Sequence, residues 1–182
     1  MIDILQQQET LPATYPDVPE GLSENAATVD ADMIWQRIET YTAHRFTDRE
    51  IIWTITGLAG DQWFPPIVPV TTYTVEQWTN GAWVSVTLDA GPMGPCLPSD
   101  GTYKITAQAG AGPTPAAISE AFRRMVEYLG GARGSTNEPG ATRASFKIGD
   151  SLDFEVERNP AWIARAMQFS GAADLLRRYR RG

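Results

Sequence analysis

Apolar and polar residues alternate most clearly between Asp100 and Ala109. Apolar side chains occupy every second position, at Tyr103, Ile105, Ala107 and Ala109, and polar side chains lie between them. This period of two is typical of a half-buried β-strand. Residues 110–113 are rich in glycine and proline and interrupt the pattern, so we predict that the strand ends there.

The period changes to that of a helix after residue 113. Apolar residues recur three and four positions apart and share one helical face, at Ile118, Ala121, Phe122, Met125, Tyr128 and Leu129. Pro115 suits a first helical position, where its missing N–H costs nothing, and Gly130 with Gly131 is typical of a helix end. The pattern therefore predicts a helix over 115–129.

The same spacing predicts a helix near each end of the chain. The first covers 30–46, and Asp30 or Thr28 can cap its N-terminus. The last covers 160–170, with Asn159 as its cap.

Short alternating runs predict an inserted antiparallel β region over 49–109. Within it, Asn80-Gly81 predicts a tight hairpin, because both central residues of a type I′ turn have positive φ. Residues 132–158 leave two interpretations open. Their alternating runs about Gly149-Asp150 fit either a hairpin of their own or strands that add to the sheet of a neighbouring subunit.

These elements predict an α+β fold with a small helical core, an inserted antiparallel β region and extended arms at both ends. Residues 1–29 carry prolines and acidic residues but no base, which predicts an arm outside the core. Residues 30–170 form one domain in this interpretation, and 171–182 form a docking tail.

Charge narrows the possible functions. The chain has 22 acidic and 15 basic residues and a net charge of −7, which argues against a general nucleic-acid binder.

The lone Cys96 excludes an internal disulfide, and a single histidine, His44, argues against a zinc site. We find no run of about 18 apolar residues and no secretory signal pattern, which predicts a soluble protein made in a reducing compartment.

Catalytic signatures are missing from the sequence. It contains no phosphate-binding glycine loop, no zinc-protease motif and no nucleophile elbow. Carboxylate pairs such as Asp150 with Asp153, or Glu155 with Glu157, could be considered as an acid–base pair, but no other feature of the sequence identifies them as one. We therefore expect no enzyme activity, no cofactor and no bound metal.

The C-terminal tail is the strongest candidate for an interaction site. It combines apolar, aromatic and arginine residues, which are Leu175, Leu176, Arg177, Arg178, Tyr179, Arg180 and Arg181. Arginine forms planar, multi-donor contacts at interfaces, and a purely solvating tail would not need leucines and a tyrosine. The opposite charges of the two chain ends fit a protein that docks to a different neighbour at each end.

The order of these motifs resembles the head–tail connector (adaptor) proteins of long-tailed phages and of phage-like gene transfer agents. The segments that carry the resemblance are 32–45, 63–70, 80–83, 101–105, 115–129 and 172–181. The resemblance implies a ring, typically of twelve subunits, that sits below the portal protein and through which DNA passes. It places the protein in the neck of a virion assembled from parts made in the host cytoplasm.

The resemblance also implies roles for particular residues. The C-terminal tail would dock to the portal, and the β region would face the next neck, stopper or tail protein. The helix core and the ring interface would involve Ile34, Ile38, Phe122, Met125 and Trp162.

Two alternatives remain open from the sequence. One is another neck protein, such as a stopper ring. The other is a β-rich carbohydrate-binding module in which Trp63, Trp78 or Trp83 stacks on a sugar.

Overall fold

The computed structural model describes residues 1–133, 143–148, 152–157 and 163–180. Its strands are β1 (Asp3–Glu9), β2 (Arg49–Gly57), β3 (Val70–Thr79), β4 (Ala82–Ser85), β5 (Asp89–Ala90), β6 (Pro95–Cys96), β7 (Gly101–Ala109), β8 (Arg143–Ile148) and β9 (Leu152–Glu157). Its helices are α1 (Glu24–Ala27), α2 (Ala31–Thr42), α3 (Ala116–Arg133), α4 (Ala166–Phe169) and α5 (Ala172–Leu176), followed by a 3₁₀ turn at Arg177–Tyr179. The predicted α+β class is confirmed.

The chain forms two compact units. Unit 1 comprises Met1–Pro16 and Ala43–Pro113, and unit 2 comprises Asp17–Thr42 and Thr114–Arg180. Unit 1 contains the main sheet, and unit 2 contains the helices.

The core of unit 1 lies on one face of a five-stranded antiparallel sheet with the order β1-β2-β7-β3-β4. Alternate residues of β2 and β7 are buried there, as the period of two predicts. Trp63, Ile67 and Leu97 from the connecting loops cover this face. The hairpin predicted at Asn80-Gly81 is confirmed, with φ of 51° and 82° at these two residues.

The N-terminal segment differs from the predicted arm. Residues 3–9 form β1, which pairs in antiparallel fashion with β2 at one end of the sheet. Ser23 then caps the short helix α1 by accepting a hydrogen bond from the backbone N–H of Ala26. The sequence pattern missed β1 because all seven of its residues are exposed, so no buried face imposes an apolar period.

The first long helix is shorter than predicted. Asp30 is its N-cap, as expected, and accepts hydrogen bonds from the N–H groups of Asp32 and Met33. The helix ends at Thr42 because Ala43 adopts a positive φ of 53°. His44 therefore lies outside the helix, in a bridge to Val68, and its ring stacks on Phe46.

Helix α3 does not end at its glycine pair. It continues through Gly130 and Gly131 to Arg133. A Cβ at Gly130 would lie 2.6 Å from the Cα and the N of Ala26 in α1. Gly130 is therefore the point where two helix backbones meet, and its role is close approach rather than helix termination.

Strands β8 and β9 pair with each other, which confirms the hairpin interpretation of this region. Their register joins Phe146 to Phe154 and Ile148 to Leu152. The loop 134–140, the turn Gly149-Asp150 and the predicted cap Asn159 lie outside the described residues.

Candidate interaction surfaces

The C-terminal tail is folded rather than free. Helix α4 ends before Gly171, which has a φ of 74°, and α5 and the 3₁₀ turn follow. The chain thus turns at Gly171, where the sequence pattern predicted the end of the last helix and the start of an extended tail. Leu176 is fully buried within unit 2, so it is a core residue and is not available to a partner. Arg181 and Trp162 lie outside the described residues.

The other tail residues stay accessible to different degrees. Arg177, Arg178 and Arg180 are exposed, and Leu175 and Tyr179 are half-buried. The guanidinium of Arg178 lies 5.3 Å from the ring centre of Tyr179, and that of Arg180 lies 5.3 Å from the ring centre of Tyr41 in α2. These cation–π contacts hold arginines in place while their donors still face solvent.

A shallow depression lies beside the arginines in unit 2. It has a volume of about 520 Å³ and is lined by Ala117, Asp174, Leu175, Arg177 and Arg178. Its lining combines apolar side chains with the carboxylate of Asp174 and the guanidinium groups of Arg177 and Arg178.

Four of the five predicted helix-core residues are deeply buried, and the fifth, Trp162, lies outside the described residues. Ile34, Ile38, Phe122 and Met125 have no exposed surface, and the ring of Phe122 packs against that of Trp35 in a tilted arrangement with ring centres 4.7 Å apart. Side chains this buried stabilise unit 2 itself. A role in contacts between subunits stays a prediction for these residues.

Every lysine and arginine of unit 1 between residues 1 and 113 is ion-paired. Arg45 and Arg49 both bind the carboxylate of Glu9, with N–O distances of 2.8 and 3.1 Å for Arg45 Nη2 and Arg49 Nη1. Lys104 pairs with Glu76. Unit 1 has eight acidic residues against these three bases in residues 1–16 and 43–113, a formal charge of −5. Its surface is therefore negative without a compensating free cation among the described residues.

Glu9 is the centre of the ion-pair cluster. Burial opposes the ionisation of this carboxyl, but the hydrogen bonds and positive charges of Arg45 and Arg49 outweigh it, so the pKa of Glu9 lies below its usual value. Arg49 also lies over the ring of Tyr15, 5.7 Å from the ring centre. The cluster fixes the end of β1 to the sheet.

The tryptophans of unit 1 do not form one sugar platform. Trp63 is 3% exposed and packs edge-on against Trp53 and Tyr73. Trp78 is 49% exposed and stands edge-to-face to Trp83 across the β3–β4 hairpin, with ring centres 5.1 Å apart. The predicted stacking role of Trp63 is therefore wrong, because this ring belongs to the core.

Two further observations concern other classes of site. Within the described ranges, no group of three or more His, Cys, Asp and Glu residues is arranged to hold a metal ion. None of the helices in the part of the chain that the structure describes has the length and apolar content needed to cross a membrane.

No family model matches the sequence, and no curated protein is significantly similar to it. Among solved structures, the chain is similar to a chain in the neck of an empty GTA particle computed with C6 symmetry. The two are 19% identical with a TM-score of 0.52, over 98% of this chain and 96% of that one.

Two other structures are similar at lower scores. One is the virion of a native gene transfer agent (GTA) particle, with 18% identity and a TM-score of 0.49 over 84% of this chain and 75% of that one. The other is the neck of a native GTA particle computed with C12 symmetry, with 17% identity and a TM-score of 0.42 over 84% and 80%. The chain thus has the fold of a protein in the neck of an empty GTA particle.

Proposed function

We propose that this protein is a non-catalytic structural subunit of the neck of a phage-like particle, and that it acts as a head–tail connector (adaptor). Twelve copies form a ring below the portal protein, and DNA passes through the ring. The observation that carries the proposal is the fold shared with the GTA neck chain over nearly the full length of both chains. The order of motifs in the sequence, which resembles the adaptor proteins, supports the same assignment.

The distribution of charge supports a conduit for DNA. The bases of unit 1 are held by carboxylates, so unit 1 presents a net negative surface. A negative wall repels phosphate and lets DNA slide, whereas a wall of free cations would hold it. The ring reads no DNA sequence in this mechanism.

The exposed arginines of unit 2 supply the docking contact with the portal protein. Arg177 and Arg178 border the depression that Leu175 lines, and each guanidinium offers several donors to a carboxylate. Leu176 contributes indirectly, because it holds α5 on unit 2. The β region of unit 1 faces the next neck or tail protein.

The test is a binding assay between the full chain and the portal protein of its own particle. Replacing Arg177 and Arg178 together with glutamine removes two exposed cations and leaves the buried Leu176 intact. We expect portal binding to be lost while the circular dichroism spectrum and the melting temperature stay unchanged. The matched control is Arg165→Gln, which removes an exposed arginine of unit 2 that does not line the depression and should leave binding unchanged.

Two outcomes would contradict the proposal. If the double variant bound the portal protein as strongly as the wild type, the arginines would not be part of the docking site. If electron microscopy of particles showed no wild-type protein in their necks, the neck assignment itself would be wrong.

A further inference from the structure

The main sheet has two open edges. Strands β1 and β4 are its end strands, and each pairs with a neighbour on one side only in the part of the chain that the structure describes. All seven residues of β1 are exposed, with Ile4 at 48% and Leu5 at 60%. Val84 on β4 is 48% exposed. Proteins normally cover or charge such edges, because unpaired backbone groups are templates for another strand.

The N-terminal half of β1 and the middle of β4 carry apolar side chains, and neither strand carries an unpaired charge between its ends. Of the charged residues nearby, Glu9 is held by Arg45 and Arg49, and Lys104 is held by Glu76. Asp3 lies at the outer end of β1. Bringing the two edges together would therefore bury Ile4 and Leu5 beside Trp83 and Val84 without burying an unpaired charge.

The directions of the two edges suit a head-to-tail contact. Four successive antiparallel pairings connect β1 to β4, so these two strands run in the same direction. Neighbouring subunits of a ring are related by a small rotation, so β4 of one copy meets β1 of the next copy in a nearly parallel orientation. A closed ring requires an interface of this heterologous kind, with two different patches on each subunit.

We propose that β4 of one copy pairs in parallel with β1 of the next copy, so that a continuous sheet crosses each subunit boundary. This inference rests on the proposed ring and names the surfaces that close it. The contact is short, because β4 has four residues. Such a small interface forms where many copies are held together, as in a neck, rather than between free monomers.

The test is crosslinking in assembled particles. Leu5→Cys and Val84→Cys are introduced together in a Cys96→Ser background, which removes the natural thiol. A short bis-maleimide is then added to particles whose neck rings are visible by electron microscopy. We expect a ladder of covalent multimers that extends to the full ring, and no multimers from either single-cysteine variant.

The outcomes separate this inference from the proposed function. Particles with normal rings but no crosslinked multimers would overturn the strand pairing and leave the neck assignment standing. A crosslink from Leu5→Cys to a different protein would also overturn the pairing. Particles that never contain the protein would overturn both.

A second pair of variants probes the same edge by charge. Leu5→Lys places a cation on the apolar part of the β1 edge, and Leu58→Lys is the control, since Leu58 is 58% exposed in a loop of the same unit. We expect both variants to fold, and we expect only Leu5→Lys to prevent incorporation into rings. Equal incorporation of the two variants would contradict the proposal.

Discussion

At the scale of single residues, Glu9 has the largest structural role that we identify outside the apolar core. It joins the end of β1 to Arg45 and Arg49, which are 9% and 5% exposed. Two nearly buried guanidinium groups need a carboxylate partner, because an uncompensated buried charge is costly. One glutamate thus allows an otherwise exposed strand to belong to unit 1.

Glu9→Gln should lower the free energy of unfolding by about 2–3 kcal/mol at neutral pH. The lowered pKa of Glu9 also sets the sign of the pH dependence. Its stabilising contribution is complete above the unfolded-state pKa of about 4.3 and is lost as the pH falls through the folded-state value. Urea denaturation of both proteins between neutral and acidic pH measures the effect.

The control is Asp3→Asn, which removes an exposed charge from the same strand. It should change stability by less than about 0.5 kcal/mol. The difference between wild type and Glu9→Gln should shrink in acid. A difference that stays constant down to the lowest pH would show that the carboxylate charge is not its source.

At the scale of elements, the contact between α1 and α3 depends on one glycine. Gly130 and Gly131 are adjacent in α3, but only Gly130 faces the backbone of α1. Substituting each glycine in turn separates two effects on the free energy of unfolding. One is the loss of the close approach between the helices, and the other is the general effect of glycine in a helix.

Gly130→Ala should destabilise the protein by about 1–3 kcal/mol, because the new methyl group overlaps Ala26 and pushes the helices apart. Gly131→Ala should instead stabilise it by up to about 1 kcal/mol, since a Cβ there meets nothing within 4 Å and alanine favours helix. Chemical denaturation of both variants gives the comparison. Equal effects of the two substitutions would show that the close approach does not matter.

At the scale of the whole molecule, charge is arranged unevenly. The bases among residues 1–113 of unit 1 are neutralised by carboxylates, while unit 2 displays exposed arginines at its C-terminal end. The net charge of −7 therefore coexists with a local cationic surface. We expect this distribution to favour local contacts with acidic proteins, while the net charge opposes binding to nucleic acid.

The free protein should not bind duplex DNA measurably at physiological ionic strength, because net repulsion opposes it. Fluorescence anisotropy of labelled DNA measures this directly. Any binding that emerges at low salt should disappear in the Arg177→Gln, Arg178→Gln double variant. Strong binding at physiological salt would contradict a conduit that DNA traverses without being held.

The sequence by itself determined the elements that have a buried face. The period of two in β2 and β7, the helical stripe of α3 and the Asn80-Gly81 turn are local signals, because each residue's burial or φ follows from its own position in the repeat. The α+β class followed from the order of these signals.

Tertiary structure alone decided the features of the fold that no repeating pattern in the sequence indicates. Strand β1 exists because β2 offers an edge and two arginines hold Glu9. The course of α3 through Gly130 depends on Ala26, more than one hundred residues earlier, and Leu176 is buried by packing within unit 2. These outcomes depend on contacts between residues that are distant in the sequence, and a local pattern contains no information about such contacts. The amphipathic period of a strand or helix, in contrast, is a property of consecutive residues.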